Sequence, residues 1–185
     1  MSIDGRPARL WIDNFLRGLP FYGSPIHLEF LPALTAHRGA LLSKGGRGRP
    51  VYAASFLRER RVVLEDSLTR DPPRLRLIFT HEVLHFAWWR LGNTRRTDFG
   101  ALLTEECAAQ PRGELGESSL VAKDAYLSGS GEGKPRLWRD YVCESFCDTG
   151  AWLFSGVEAH DSFQLAARWK SRRAAWFRSL PELRV

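Results

Sequence analysis

Three residues stand at a spacing that can do metal chemistry: His81, Glu82 and His85, in the run His81-Glu82-Val83-Leu84-His85. Helical residues four apart lie one turn apart on one face. In a helix, His81 and His85 therefore present two imidazole nitrogens to a single metal ion. Glu82 is rotated off that line, three residues before His85, where its carboxylate can reach a metal-bound water. Two ligands, one general base and an open coordination position make a hydrolytic metal centre, with Glu82 as the catalytic base.

The surrounding residues predict the helix that this chemistry needs. No Pro or Gly falls between Arg74 and Leu91, and Pro72 and Pro73 open the segment where a first turn tolerates a missing N–H. Leu77, Ile78, Leu84 and Trp88 recur near the histidines, so burial is expected on the His side. A catalytic metal site takes a third protein ligand. The strongest segment for it is 137–153, which also reads as a helix. It carries Glu144 and Asp148, four apart on one face. Glu105 and Glu106 compete, twenty and twenty-one residues after His85, but Ala109 and Gln110 stand where an Asp would match. Pro111 then breaks that segment. Asp98 and His160 are weaker candidates. His160 precedes Asp161 at an expected helix start, where a capping role suits it.

The pair of motifs, H-E-x-x-H at 81–85 and E-x-x-x-D at 144–148, resembles the gluzincin metallopeptidases, the thermolysin-like superfamily of zincins. That resemblance rests on about a dozen decisive residues, and 185 residues leave room for a minimal core only. It implies one Zn2+ per chain, held by His81, His85 and Glu144. Asp148 would accept a hydrogen bond from the non-ligating nitrogen of a zinc histidine, His81, and so fix its tautomer. It implies hydrolysis of peptide bonds, with a peptide or protein as substrate. A tetrahedral oxyanion also needs a donor besides the metal. Tyr141, one turn from Glu144, and Tyr126 are the candidates.

The remaining composition fits a small enzyme. Forty-four per cent apolar residues, with seven Trp and eleven Phe, can supply a core. No apolar run is long enough to cross a membrane. The opening Met-Ser-Ile-Asp-Gly-Arg-Pro has no charged start followed by an apolar stretch, so a cytoplasmic protein is expected. Cys107, Cys143 and Cys147 are an odd number and read as reduced thiols. Cys143 and Cys147, one turn apart, are a conceivable second metal pair. The net charge is +6, and 23 of the 27 basic residues are Arg. Clusters at Arg47/Arg49, Arg58/Arg60/Arg61, Arg95/Arg96 and Arg168/Lys170/Arg172/Arg173 permit nucleic-acid binding, though no nucleic-acid motif accompanies them.

The pattern along the chain predicts an α+β fold: a small mixed sheet packed on the active-site helix, then a mostly helical C-terminal part. Helices are expected over 8–19, 98–110 and 161–180, besides the two that bear the motifs. Strands are expected over 26–31, 51–57 and 61–66, the last two as a hairpin about 58–60. Segment 39–50 reads as a loop, 113–120 is ambiguous, and 128–135 is a flexible break. The whole chain, 1–185, is taken as one zincin-like domain, with 92–185 carrying the third ligand. The 51–66 region could offer a sheet edge to an extended substrate. Two other functions fit the same residues. One is a catalytically silent zinc-binding module. The other is a nucleic-acid-associated protease resembling the Spartan-type enzymes, from which a Glu third ligand departs.

Overall fold

The computed structural model describes residues 19, 21–44 and 46–185. The helix expected over 8–19 falls, apart from residue 19, outside them. The chain is α+β, with five α-helices and three small sheets among the described residues. The strands are β1 (Phe21–Tyr22), β2 (His27–Leu31), β3 (Thr35–His37), β4 (Ala40–Leu42), β5 (Arg49–Pro50), β6 (Ala53–Phe56), β7 (Arg61–Glu65) and β8 (Leu183–Arg184). The helices are α1 (Pro72–Arg90), α2 (Asn93–Ala108), α3 (Glu117–Ser128), α4 (Lys134–Phe154) and α5 (Ala167–Arg178).

The sheet beside α1 runs β2-β7-β6, with β2 parallel and β6 antiparallel to the central β7. Val62, Val63 and Leu64 of β7 are fully buried, as a strand paired on both sides requires. The β6–β7 hairpin turns at 57–60, where Arg60 takes a φ of 49° and its N–H donates to Leu57 O at 3.4 Å. That end of the sheet matches the hairpin predicted about 58–60.

α1 begins where its prolines predict. Asp71 caps it, accepting from Arg74 N at 3.2 Å, and Pro72 and Pro73 occupy the first turn. Burial is not confined to the His side. Leu75, Phe79, Val83, Leu84, Phe86 and Ala87 are all buried, so α1 is a central helix packed between the sheet and α4. Gly150 of α4 allows the close approach: a Cβ there would lie 2.4 Å from Leu84 Cδ1. Phe99, Phe146, Trp176 and Phe177 from α2, α4 and α5 close the core, with ring centroids 4.7 to 6.2 Å apart.

Three segments depart from expectation. Residues 39–50 are not all loop. β3 and β4 form a hairpin through Arg38 and Gly39, both at positive φ (49° and 80°), as a tight two-residue turn demands, and β5 pairs on the other side of β3. The ambiguous 113–120 region is irregular up to Gly116 and then enters α3. The last helix starts at Ala167 rather than 161. Before it the chain runs through turns, and Gln164 N and Leu165 N both donate to Glu114 O, at 2.8 and 3.0 Å.

A buried charge network ties α5 to the rest. The Arg173 side chain, 0% exposed, donates from Nε and Nη2 to the two oxygens of Glu106 at 3.0 and 2.5 Å. The same Nη2 lies 2.8 Å from Glu114 Oε2 in a charge contact outside hydrogen-bond alignment. Lys123 Nζ sits 3.2 Å from Glu114 Oε1, so two cations balance two carboxylates. Arg173 therefore belongs to the interior rather than to a solvated basic surface. Removing one partner of such a buried pair leaves uncompensated charge, so Arg173→Met is expected to destabilise the protein by about 3–5 kcal/mol. Denaturant unfolding of variant and wild type checks this, and equal midpoints would refute it.

Candidate metal centre

The two motif helices meet at the site. α1 supplies His81, Glu82 and His85, and α4 supplies two neighbouring ridges, Glu144/Asp148 and Cys143/Cys147. His81 Nε2 lies 3.2 Å from His85 Nε2 and 3.3 Å from Glu144 Oε2. Two further ligand atoms thus lie close to His81 Nε2. Zinc with N and O ligands at about 2.0–2.1 Å in a tetrahedron would separate its ligand atoms by about 3.3–3.4 Å. The donor chemistry fits such an ion, and so do the two separations from His81 Nε2.

The orientation of His81 is fixed from behind. Its Nδ1 lies 2.6 Å from Asp148 Oδ1, and Asp148 Oδ2 accepts from Ser119 N at 2.8 Å. Both carboxylate oxygens are thereby held, one by the imidazole and one by the first turn of α3, whose dipole favours an anion. Gly116 makes the room, since a Cβ there would overlap the Asp148 carboxylate at 2.1 Å. Asp148 accepting at Nδ1 leaves the His81 Nε2 side for a ligand.

The titration of these groups follows from the same contacts. Burial opposes a charge on His81, yet the charge and hydrogen bond of Asp148, then Glu144 and Glu82, raise its pKa well above the ordinary value. Burial likewise works against ionised Asp148 and Glu144, but the histidines hold both carboxylates below their usual range.

His85 has a different backing. Its Nδ1 lies 3.4 Å from Cys147 Sγ and 3.6 Å from Cys143 Sγ. His81, His85 and Cys147 together form a largely buried cluster that could bind a metal ion, with ligand atoms all within 4.8 Å. The sulfur, however, faces Nδ1, while Nε2 faces His81. Glu144 Oε2 lies beside His81 Nε2, and the Cys147 sulfur beside His85 Nδ1.

Glu82 is oriented from the sheet. Ser55 of β6 has its Oγ 2.5 Å from Glu82 Oε2 and 2.9 Å from Glu82 O. The sequence offered no signal for this serine, which lies 27 residues earlier and meets Glu82 only through the fold. Ser55, His81, Glu82, His85, Ser118 and Glu144 line a hollow of about 310 Å³. It adjoins a cleft of about 720 Å³ that runs along 49–53 and the outer face of α3. β6 is an end strand of its sheet, so its outer edge borders the hollow.

Several sequence candidates lie elsewhere. Tyr141 is not an oxyanion donor here: its hydroxyl donates to Glu114 Oε1 at 2.7 Å and its ring is fully buried. Burial, followed by the Glu114 charge, pushes its pKa up. Tyr126 stacks on Tyr141, with ring centroids 6.3 Å apart, and lines neither the hollow nor the cleft. Glu106 is engaged by Arg173, and Glu105 pairs with Arg172 at 2.5 Å. Asp98 is exposed on α2. His160 lines the larger cleft, but its Nδ1 accepts from Ser162 N at 3.2 Å in a local turn.

No family model, curated protein or solved structure matches this chain. Among the described residues no helix is long and apolar enough to cross a membrane.

Proposed function

We propose that the chain is a zinc-dependent metallopeptidase of the gluzincin kind, holding one Zn2+ through His81, His85 and Glu144. The observation that carries this reading is the placing of His85 Nε2 and Glu144 Oε2 at 3.2 and 3.3 Å from His81 Nε2, with the Glu82 carboxylate lining the same hollow. Bound there, zinc lowers the pKa of a water toward ~7 and polarises a carbonyl. Every other part of the reaction falls to the protein. Asp148 keeps the His81 ring in register. Ser55 occupies Glu82 Oε2, which leaves Glu82 Oε1 to accept the proton of the attacking water. Glu82 then delivers that proton to the leaving amine. An extended peptide can lie against the β6 edge, using main-chain hydrogen bonds that tolerate many side chains. The larger cleft, bordered by Leu77, Ile78, Val121 and Leu137, receives an apolar side chain of that peptide.

Removal of the metal tests the reading. Protein stripped by a chelator is expected to lose cleavage of an unfolded protein substrate and to regain it when about one equivalent of zinc is returned. Cleavage that persists in the stripped protein would overturn the metal-dependent mechanism.

A further inference from the structure

The Nδ1 side of His85 carries an arrangement that the proposed zinc centre does not use. Cys143 and Cys147 stand one turn apart on α4, and both sulfurs face this nitrogen, at 3.6 and 3.4 Å. Cys147 is fully buried and Cys143 half-buried. A tetrahedral ion with sulfur at about 2.3 Å and nitrogen at about 2.0–2.1 Å separates S from N by about 3.6 Å. The two observed sulfur–nitrogen separations, 3.6 and 3.4 Å, lie close to this value.

We infer that Cys143, Cys147 and His85 Nδ1 form a second metal site, selective for a soft, thiophilic ion. Two sulfur ligands give the selectivity, because thiolates favour soft ions over Mg2+ or Ca2+. Binding releases three protons, two from the thiols and one from Nδ1, and leaves the His85 ring between two ions. The third cysteine, Cys107, is outside the site: its sulfur lies 4.0 Å from the Tyr141 hydroxyl. The site exists whether or not the Nε2 side is catalytic, so its test does not read hydrolysis.

Zinc-loaded full-length protein is titrated with Cd2+ while thiolate-to-cadmium absorption, retained zinc and thiol alkylation are followed. The expected result is a charge-transfer band that saturates at about one cadmium per chain, with zinc retained. Cys143 and Cys147 become protected from alkylation, and Cys107 reacts as before. Cys147→Ser and Cys143→Ser are each expected to weaken cadmium binding at least about tenfold, two thiolates being the site's main donors. Cys143 is the less buried of the two, so its variant keeps the comparison if Cys147→Ser unfolds. Three results would overturn the proposal. One is no band, which reduces the contacts to N–H···S hydrogen bonds. Another is cadmium uptake with loss of zinc and no protection, which places the ion at the Nε2 side. The third is a band that survives substitution of both cysteines.

Discussion

Replacing Glu82 by Gln is expected to lower peptide hydrolysis by about 10²–10⁴-fold while zinc content stays the same. That range is what a positioned general base contributes. Glu82 is set apart from the ligands by geometry. His85 Nε2 and Glu144 Oε2 both stand beside His81 Nε2, while the Glu82 carboxylate is held by the Ser55 hydroxyl at 2.5 Å. A Gln fills the same space and can still meet Ser55 through its carbonyl oxygen, so α1 and the ligand pair are left intact. What disappears is the group that accepts a proton. Steady-state turnover beside elemental analysis separates the two effects. A variant that keeps wild-type turnover would remove Glu82 from the reaction, and one that loses its zinc would make Glu82 a ligand.

The ligand set makes the second large effect. Glu144→Ala is expected to lose most zinc affinity, whereas Glu105→Ala and Glu106→Ala are expected to retain it. Glu144 Oε2 stands 3.3 Å from His81 Nε2, while Glu105 and Glu106 bond to Arg172 and Arg173. Asp148→Asn should fall between these, weakening zinc binding by about 10–100-fold, the usual effect of losing the carboxylate behind a metal-bound histidine. Chelator competition ranks the four variants. Glu106→Ala will complicate stability, because it leaves Arg173 buried beside a single carboxylate, so affinity must be read on folded protein. The ranking fails if Glu144→Ala binds zinc as tightly as the wild type.

The parts of the site that sit within one helix were legible in the sequence. His81 and His85, and separately Glu144 and Asp148, are related by one turn, and a period of 3.6 residues fixes that relation before any tertiary contact. The meeting of α1 with α4 was readable only through the resemblance of the two motifs. Its physical basis, the missing side chain of Gly150 against Leu84, has no local signature. Tyr141 illustrates the limit. One turn from Glu144 placed it near the site, but its hydroxyl is directed by Glu114, a residue in a segment that gave no clear pattern. Ser55 was missed for the same reason in reverse, since strand alternation says which face it occupies and not which helix residue it will meet. The sheet hairpin and the N-terminus of α1 were legible because turn and proline chemistry are local. The β3–β4 hairpin was missed because its short strands carry little alternation, and Arg38 gives no warning of a positive φ.

The most direct test of the central claim is mass-spectrometric profiling of a diverse peptide library incubated with zinc-replete wild type and, in parallel, with zinc-replete Glu82→Gln. The wild type is expected to yield new peptide termini and the variant almost none at matched zinc content. Zinc-replete wild type that cuts no peptide bond, or a variant that cuts equally well, would contradict it.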